Sequence, residues 1–185
     1  MPNSENVILT DKNLVSFETK VWPDSVLNFG CDSNKLTSLE GAPLEIKGFF
    51  SCQHNQLSNL IGGPQSTGRF FSCEQNKITS LIGGPTKING HYYCQANRIS
   101  SFEGIHKHFK NGYINGKLFT NGNPIIGHML GLLLIPGLSG ISHANAGPSL
   151  EEAITIINYH LLNGRDVIDC QQELIEAVLK EYAKL

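Results

Sequence analysis

Residues 49–64 read FFSCQHNQLSNLIGGP and residues 70–85 read FFSCEQNKITSLIGGP, so two neighbouring stretches of the chain are near copies of each other. Corresponding positions lie 21 residues apart, and the pattern continues outward in both directions. Self-similarity at a fixed period of this length is typical of a solenoid, in which each repeat buries its apolar face against its neighbours. The sequence therefore predicts a stack of similar coils.

Several residue types recur in one register. The cysteine column holds Cys31, Cys52, Cys73 and Cys94, and the asparagine column holds Asn13, Asn34, Asn55, Asn76 and Asn97. Apolar columns hold Leu36, Leu57, Ile78 and Ile99, and then Leu39, Leu60, Leu81 and Phe102. Glycine follows, where we expect the chain to turn back, at Gly41, Gly62, Gly83 and Gly104.

The repeat resembles the leucine-rich repeat, L-x-x-L-x-L-x-x-N/C-x-L. Phe50 and Cys52 fill two of its Leu positions, and Asn55 is its Asn. Leu57 and Leu60 fill its last two Leu positions. A 21-residue unit with Cys in the strand and Gly-x-Pro in the return is similar to repeats of many tailed-phage and other mobile-element proteins. The resemblance covers residues 7–116 and implies an α/β solenoid with a short parallel β-sheet and a mostly irregular convex side. Because such repeats serve many binding tasks, it implies little about function.

Each coil is expected to contribute one short strand, whose side chains alternate between the core and the concave face. The side chains expected to point inward are Phe29, Cys31, Phe50, Cys52, Phe71, Cys73, Tyr92 and Cys94. The asparagine column lies where the chain leaves the strand. An amide at that place can bond buried backbone groups of the turn and of the neighbouring coil.

The ends of the stack depart from the repeat. An atypical first coil is fitted by Ile8, Thr10, Asn13 and Val15, with Val7, Leu9 and Asp11 pointing outward. Tyr113 and Asn115 fit a last coil, but Leu118 stands where Asn is expected. We therefore expect the repeat to degenerate over residues 105–124.

The remaining residues predict a cap for the stack. Residues 125–142 are apolar and glycine-rich but too short and interrupted for a membrane span, so we expect a buried irregular coil. Ser149 and Glu152 have the spacing of a capping box for a first helix, and Asp166 can cap a second, whose apolar positions continue to Leu185.

The predicted fold is a leucine-rich-repeat solenoid over residues 1–124 with an atypical N-terminal coil. A C-terminal cap over residues 125–185 is expected to consist of the apolar coil and a helical hairpin. Both parts are expected to pack as one domain, since terminal units of a solenoid must cover its apolar end.

Composition excludes several classes of protein. The 185 residues carry a net charge of -2 and 16% of them are charged, which fits neither a basic nucleic-acid-binding protein nor an acidic disordered tail. The N-terminal residues lack the basic and apolar regions of a secretory signal. We expect a cytoplasmic protein with reduced thiols, located in the host cytoplasm if it is phage-encoded.

No catalytic or metal-binding motif accompanies the repeat. The sequence contains no P-loop, G-x-S-x-G, H-E-x-x-H or G-x-G-x-x-G, so we expect neither an enzyme nor a cofactor. The four column cysteines span about 14 Å at the usual strand spacing, too far for one zinc ion. His106 and His108 have no partner at ligand spacing. We expect no metal site, and buried thiols that act as small apolar groups.

The concave face is the predicted binding surface, because its outward positions place an aromatic patch beside a polar or acidic column. The residues expected to contact a partner are Asp32, Phe49, Ser51, Gln53, Phe70, Ser72, Glu74, His91, Tyr93 and Gln95. Exposed aromatic side chains on a rigid surface are typical anchors of protein interfaces. The alternative is that another segment covers these residues, or that they are repeat residues without a role.

The outward positions predicted over five coils include no Lys or Arg, so we expect no nucleic-acid binding. A sparse edge column of Lys35, Lys77 and Arg98 is expected to keep the solenoid soluble.

Two functional hypotheses remain open. The first is a non-enzymatic protein-binding module, and the resemblance to phage repeats implies a host protein as the target, to be inhibited or sequestered. The second is capture of a small molecule or nucleotide whose ring stacks on Phe49, Phe70 or Tyr93. The lack of cations among the predicted outward positions argues against a phosphorylated ligand unless the edge column reaches it. Neither hypothesis involves a membrane.

Overall fold

A computed structural model describes residues 4–185, so the first three residues of the predicted unit 1–124 lie outside the described part. The described chain forms a parallel β-solenoid of about seven turns with a period of about 21 residues. The predicted solenoid and its period are thereby confirmed.

The strands of the described residues are short and belong to two stacked columns. In chain order they are β1 (Glu5–Ile8), β2 (Val26–Gly30), β3 (Glu45–Ile46), β4 (Phe50–Ser51), β5 (Ser66–Thr67), β6 (Phe71–Ser72), β7 (Lys87–Ile88), β8 (Tyr92–Tyr93), β9 (Tyr113–Ile114), β10 (Lys117–Phe119) and β11 (Gly140–Ser142). The main column consists of β1, β2, β4, β6, β8, β10 and β11, all parallel. A second column of β3, β5, β7 and β9 meets the first at β2.

The second column was not predicted, because the sequence indicated one strand per coil. Its strands precede those of the main column by a short bend, such as Lys47–Gly48 between β3 and β4. Ile46, Thr67 and Ile88 point inward from it and are buried. Each coil therefore presents two short extended segments to its neighbours, and both make interstrand hydrogen bonds.

The predicted inward side chains of the main column form the core. Phe29 stacks on Phe50 with ring centroids 5.2 Å apart, and Phe50 stacks on Phe71 at 5.4 Å, both with rings nearly parallel. These rings, Tyr92 and the four column cysteines are fully buried. These stacked rings form an aromatic ladder that runs along the axis of the solenoid inside its core.

The column cysteines are free thiols that do more than fill space. Each sulfur donates to a main-chain carbonyl of the next coil: Cys31 to Ser51, Cys52 to Ser72, Cys73 to Tyr93 and Cys94 to Phe119, at 3.2–3.5 Å. In the following coil Thr120 takes the same place, and its hydroxyl donates to the Ser142 carbonyl at 3.3 Å. The column is thus a ladder of donors that a hydroxyl can continue.

The asparagine column bonds one coil to the next, as the sequence predicted. Asn76 Oδ1 accepts the Leu57 amide at 3.0 Å, and its Nδ2 donates to the carbonyls of Cys52, Cys73 and Glu74 at 3.0–3.1 Å. Asn34, Asn55 and Asn97 repeat this arrangement and are also buried. One side chain therefore satisfies buried backbone groups in two coils.

The register predicted for the first coil is wrong by one residue. Val7 pairs with Phe29 and Ile8 with Gly30, a separation of 22 residues rather than 21. Because side chains alternate along a strand, this slip exchanges the two faces. Ile8 is 53% exposed, whereas Val7, which was expected to point outward, packs against the core. Asn13 is exposed, so its predicted place in the buried asparagine column is also wrong.

The predicted degeneration near residue 118 is also wrong, because the repeat resumes after an insertion. A one-turn helix, α1 (Ile105–His108), lengthens one coil, so that Tyr92 pairs with Leu118 across 26 residues. The asparagine ladder then continues at Asn123, whose Oδ1 accepts the Ile99 amide at 3.0 Å. Leu118 occupies an inward aromatic position and is fully buried.

The segment after residue 124 is not wholly irregular. It contains a 3₁₀ helix (Leu130–Leu134) and β11, which adds a further strand to the main column. Helix α2 (Pro148–Leu162) packs on β11 and on the 3₁₀ helix, and helix α3 (Val167–Glu176) packs on α2.

The helix starts and ends differ in part from the prediction. Gly147 caps α2 with no side-chain hydrogen bond, so the capping box predicted from Ser149 and Glu152 does not form. Asp166 caps α3 as predicted, accepting the amides of residues 168 and 169. Helix α3 ends at Glu176, earlier than its apolar pattern indicated. Within residues 4–185, no helix has the length and apolar character needed to cross a membrane.

Candidate functional site

The outer face of the main column carries three rows of side chains, defined here by strand pairing. The first row holds Asn28, Phe49, Phe70, His91 and Lys117. The second row holds Gly30, Ser51, Ser72, Tyr93 and Phe119. The third row holds Asp32, Gln53, Glu74, Gln95 and Asn121. The ten residues expected to contact a partner all lie in these rows, in four successive coils.

Five rings run continuously across this face, and we call them the aromatic strip: Phe49, Phe70, His91, Tyr93 and Phe119. Phe49 and Phe70 stack with centroids 4.9 Å apart and an interplanar angle of 2°. Tyr93 and Phe119 form a second stack at 4.8 Å. Between the two stacks, Phe70 meets Tyr93 edge to face at 5.7 Å. His91 joins the second stack, at 5.5 Å from Phe119.

Phe119 was missed by sequence reasoning, and so was Lys117. Both fall outside a strict 21-residue register, because α1 lengthens the preceding coil to 26 residues. The signal was present as Asn123, three residues after Thr120, which repeats the spacing from Cys94 to Asn97. Lys117 also changes the charge of the face, since the predicted outward positions contained no cation.

The rings are not fully exposed, because they cover one another. Phe49, Phe70, Tyr93 and Phe119 are half-buried, and His91 is exposed. Ser51 and Ser72 were expected at the surface, yet they are 4% and 0% exposed. Their short side chains lie between larger neighbours in adjacent rows. They consequently support the strip from below and offer little contact area.

The third row is a hydrogen-bonded polar margin. Asp32 Oδ1 accepts hydrogen bonds from the Ser51 hydroxyl at 2.6 Å and from the main-chain N–H of Gln53 at 2.8 Å. The side-chain Nε2 of Gln53 donates to the Ser51 hydroxyl oxygen at 3.2 Å. Burial raises the pKa of Glu74 above its usual value, although Gln95 and His54 act in the opposite direction. The margin is acidic at Asp32 and Glu74 and neutral between them.

The stacking of the rings determines where on the strip a partner's ring can approach. Within each stack the facing sides of the two rings cover each other. Stacking is interrupted between Phe70 and Tyr93, where a depression of about 280 Å³ is lined by Arg69, Phe70, Asn89, Gly90, His91 and Tyr93. This break is a place on the strip where a foreign ring could approach.

A larger cavity lies elsewhere. It measures about 700 Å³ and is lined by the turn at residues 121–126, by residues 143–150 up to the first turn of α2, and by Tyr182. It shares no residue with the aromatic strip. Its walls are mostly small and amide side chains, with His143 bonded to the Thr120 hydroxyl. Size alone therefore does not mark it as the functional site.

Other candidate chemistry has no geometric support in the described residues. No group of three or more His, Cys, Asp or Glu side chains comes close enough to hold a metal ion within residues 4–185. Burial raises the pKa of all four column thiols well above the usual value, so they stay protonated. The edge cations Lys35, Lys77 and Arg98 are exposed, as expected.

Comparison with known proteins gives no relative: no protein-family model, no curated protein and no solved structure matches this chain.

Proposed function

We propose that this chain is a non-enzymatic protein-binding module of the leucine-rich-repeat type, and that the aromatic strip is its contact surface. The observation that carries the proposal is the aromatic strip itself, five ring side chains held on the outer face of the hydrogen-bonded main column. Aromatic side chains fixed in this way bind with little loss of conformational freedom. The polar margin at Asp32 and Glu74 resembles the rim of a typical interface.

The rest of the chain supports the strip in this proposal. Helices α2 and α3 act as a cap, because α2 packs on the last strand and α3 packs on α2. Arg165 fastens the start of α3 to the 3₁₀ segment, since its guanidinium donates to the carbonyls of Leu133, Ile135 and Leu138. A sealed end keeps the outer face as the principal surface for a partner.

The partner proposed is a protein of a host cell. This step rests on the resemblance of the repeat to those of tailed-phage and mobile-element proteins, and it implies action in the host cytoplasm. Binding to the strip is proposed to inhibit or sequester the target. We propose neither nucleic acid nor membrane as a partner, since the polar margin beside the strip is acidic.

Quantitative capture experiments test the proposal. Wild-type protein, Phe70→Ala and Ile61→Ala are immobilised at equal density and exposed to host extract. Ile61 is 62% exposed on the return side of the coil, so it controls for the loss of an exposed apolar side chain. A partner of the strip is retained by wild type and Ile61→Ala and lost from Phe70→Ala. A protein held equally by all three variants contradicts the assignment of the strip.

Capture of a small ligand is the second candidate, and the break between the ring stacks favours it. The 280 Å³ depression offers aromatic walls together with the Arg69 guanidinium and the Asn89 amide. This volume is just under the range of about 300–1,000 Å³ usual for ligand pockets, so it suits a single small ring. Native mass spectrometry tests it: a bound mass lost in Phe70→Ala supports ligand capture, and a bare chain at all concentrations opposes it.

A further inference from the structure

The depression between the two ring stacks has a cationic side. Arg69 lines it, on the side where the chain comes from β5. Lys117 follows His91 in the first row, and its amide donates to His91 Nδ1 at 2.9 Å. Arg69 and Lys117 are both exposed, and neither forms an ion pair in the described residues 4–185. Arg69 is thus an unpaired cation at one side of the aromatic pocket, whereas the Lys117 side chain lies along Gly140 of the next coil, away from the depression.

The opposite side of the strip is acidic. Asp32 and Glu74 lie in the third row, four residues along the strand from the first row, which corresponds to about 13 Å. Ser51 and Ser72 separate the acidic row from the rings and carry no charge. Charge therefore changes across the strands, from the Arg69 cation beside the first row to the carboxylates of the third row.

We propose that the depression takes one aromatic side chain from a partner protein that carries a carboxylate next to that side chain, with the carboxylate directed to Arg69. The inference rests on the proposed function and specifies the chemistry of the partner. An inserted ring occupies the break between Phe70 and Tyr93, where stacking among the strip's own rings is interrupted. Complementary charge fixes the direction of the bound segment, because a reversed segment places its carboxylate against Glu74.

The test is selection from an unbiased random-peptide library displayed on yeast. The immobilised targets are wild-type protein, Arg69→Glu, the matched control Lys77→Glu, and Phe70→Ala. The control reverses one exposed edge cation and leaves Arg69 unchanged. Circular dichroism of each target confirms folding before selection. The measured quantities are aromatic enrichment and net charge within two positions of the aromatic residue.

The proposal predicts that wild type and the edge control enrich peptides with Asp or Glu beside an aromatic residue. Arg69→Glu should enrich peptides with Lys or Arg in those positions, and its affinity for the wild-type peptides should fall at least about tenfold. Peptides whose charge does not follow the reversal overturn the proposal while leaving the strip as the binding surface. Peptides that bind Phe70→Ala as well as wild type overturn the proposed function itself. Absence of any enriched aromatic peptide overturns the recognition proposed here.

Discussion

Asn76→Ala is expected to destabilise the solenoid because it leaves one buried main-chain N–H without an acceptor. The Leu57 N–H loses its acceptor, Asn76 Oδ1, and is left unpaired in the interior. The three carbonyls bonded by Nδ2 keep another partner: Cys52 keeps Asn55, Cys73 keeps Asn97, and Glu74 keeps the His54 amide. One stranded donor costs about 1–3 kcal/mol, and three weakened carbonyl sites add about 1 kcal/mol together.

Comparison along the ladder makes this estimate testable. Asn34→Ala is expected to cost about 1 kcal/mol, because its acceptor bonds, from the Lys12 and Leu14 amides, lie in a part of the first coil that water can reach. Asn13→Ala removes no ladder bond and should cost less than Asn34→Ala. Asn76→Asp keeps the shape but places a carboxylate against three carbonyls, so it should cost more than Asn76→Ala.

Urea unfolding at constant pH, followed by circular dichroism, measures these free energies of unfolding. The expected order of destabilisation is Asn76→Asp, Asn76→Ala, Asn34→Ala and Asn13→Ala, from largest to smallest. Equal losses for Asn76→Ala and Asn13→Ala refute the reasoning, because they imply that solvent access and coil position do not determine the cost.

Three further predictions concern the core and the polar margin. Cys73→Ser should cost less than Cys73→Ala, which loses the donor, since a hydroxyl continues the ladder at Thr120; thermal melts of both variants decide this. Tyr92→Phe should raise the stability by up to about 1 kcal/mol, because the Tyr92 hydroxyl is buried without a partner; a loss of stability in urea would contradict this. Burial raises the pKa of Glu74 above the usual 4.5, so the Glu74 carboxyl holds its proton more tightly in the folded chain than in the unfolded chain. Stability therefore falls as the pH rises from 4.5 through the raised pKa of the folded chain. Glu74→Gln should reduce this fall in stability, measured as Tm between pH 4.5 and 7.

The sequence predicted which side chains of the main column point inward wherever one period governed the chain. Phe50 and Phe71 are inward and buried because side-chain alternation follows directly from a correct register. The asparagine ladder was predictable for the same reason, since only an amide offers both the donors and the acceptor that the neighbouring coils need.

The register failed where the coil length changed. A 22-residue first interval placed Ile8 outside and Val7 inside, because one residue exchanges the two faces of a strand. A 26-residue interval, caused by α1, hid Phe119 and Lys117 from the candidate site. Insertions of this kind carry no periodic signal, so only the resumed Thr120–Asn123 spacing indicated them.

The geometry of the rings was also beyond the sequence. Alternation predicted which aromatic residues face outward, but ring orientation depends on packing between neighbouring coils. Phe49 and Phe70 lie face to face, whereas Phe70 and Tyr93 lie edge to face because Tyr93 belongs to the second row. The break that results determines where a partner side chain can enter.

The most direct test of the binding account is titration calorimetry with a captured partner. Phe70→Ala, Tyr93→Ala and Phe119→Ala are compared with wild type and with Ile61→Ala, with folding checked by circular dichroism. The account predicts that Phe70→Ala and Tyr93→Ala each raise the dissociation constant about 30-fold, which corresponds to about 2 kcal/mol of weaker binding. Ile61→Ala should change the dissociation constant less than about twofold. Folded strip variants that bind as tightly as Ile61→Ala would contradict the assignment of the aromatic strip as the contact surface.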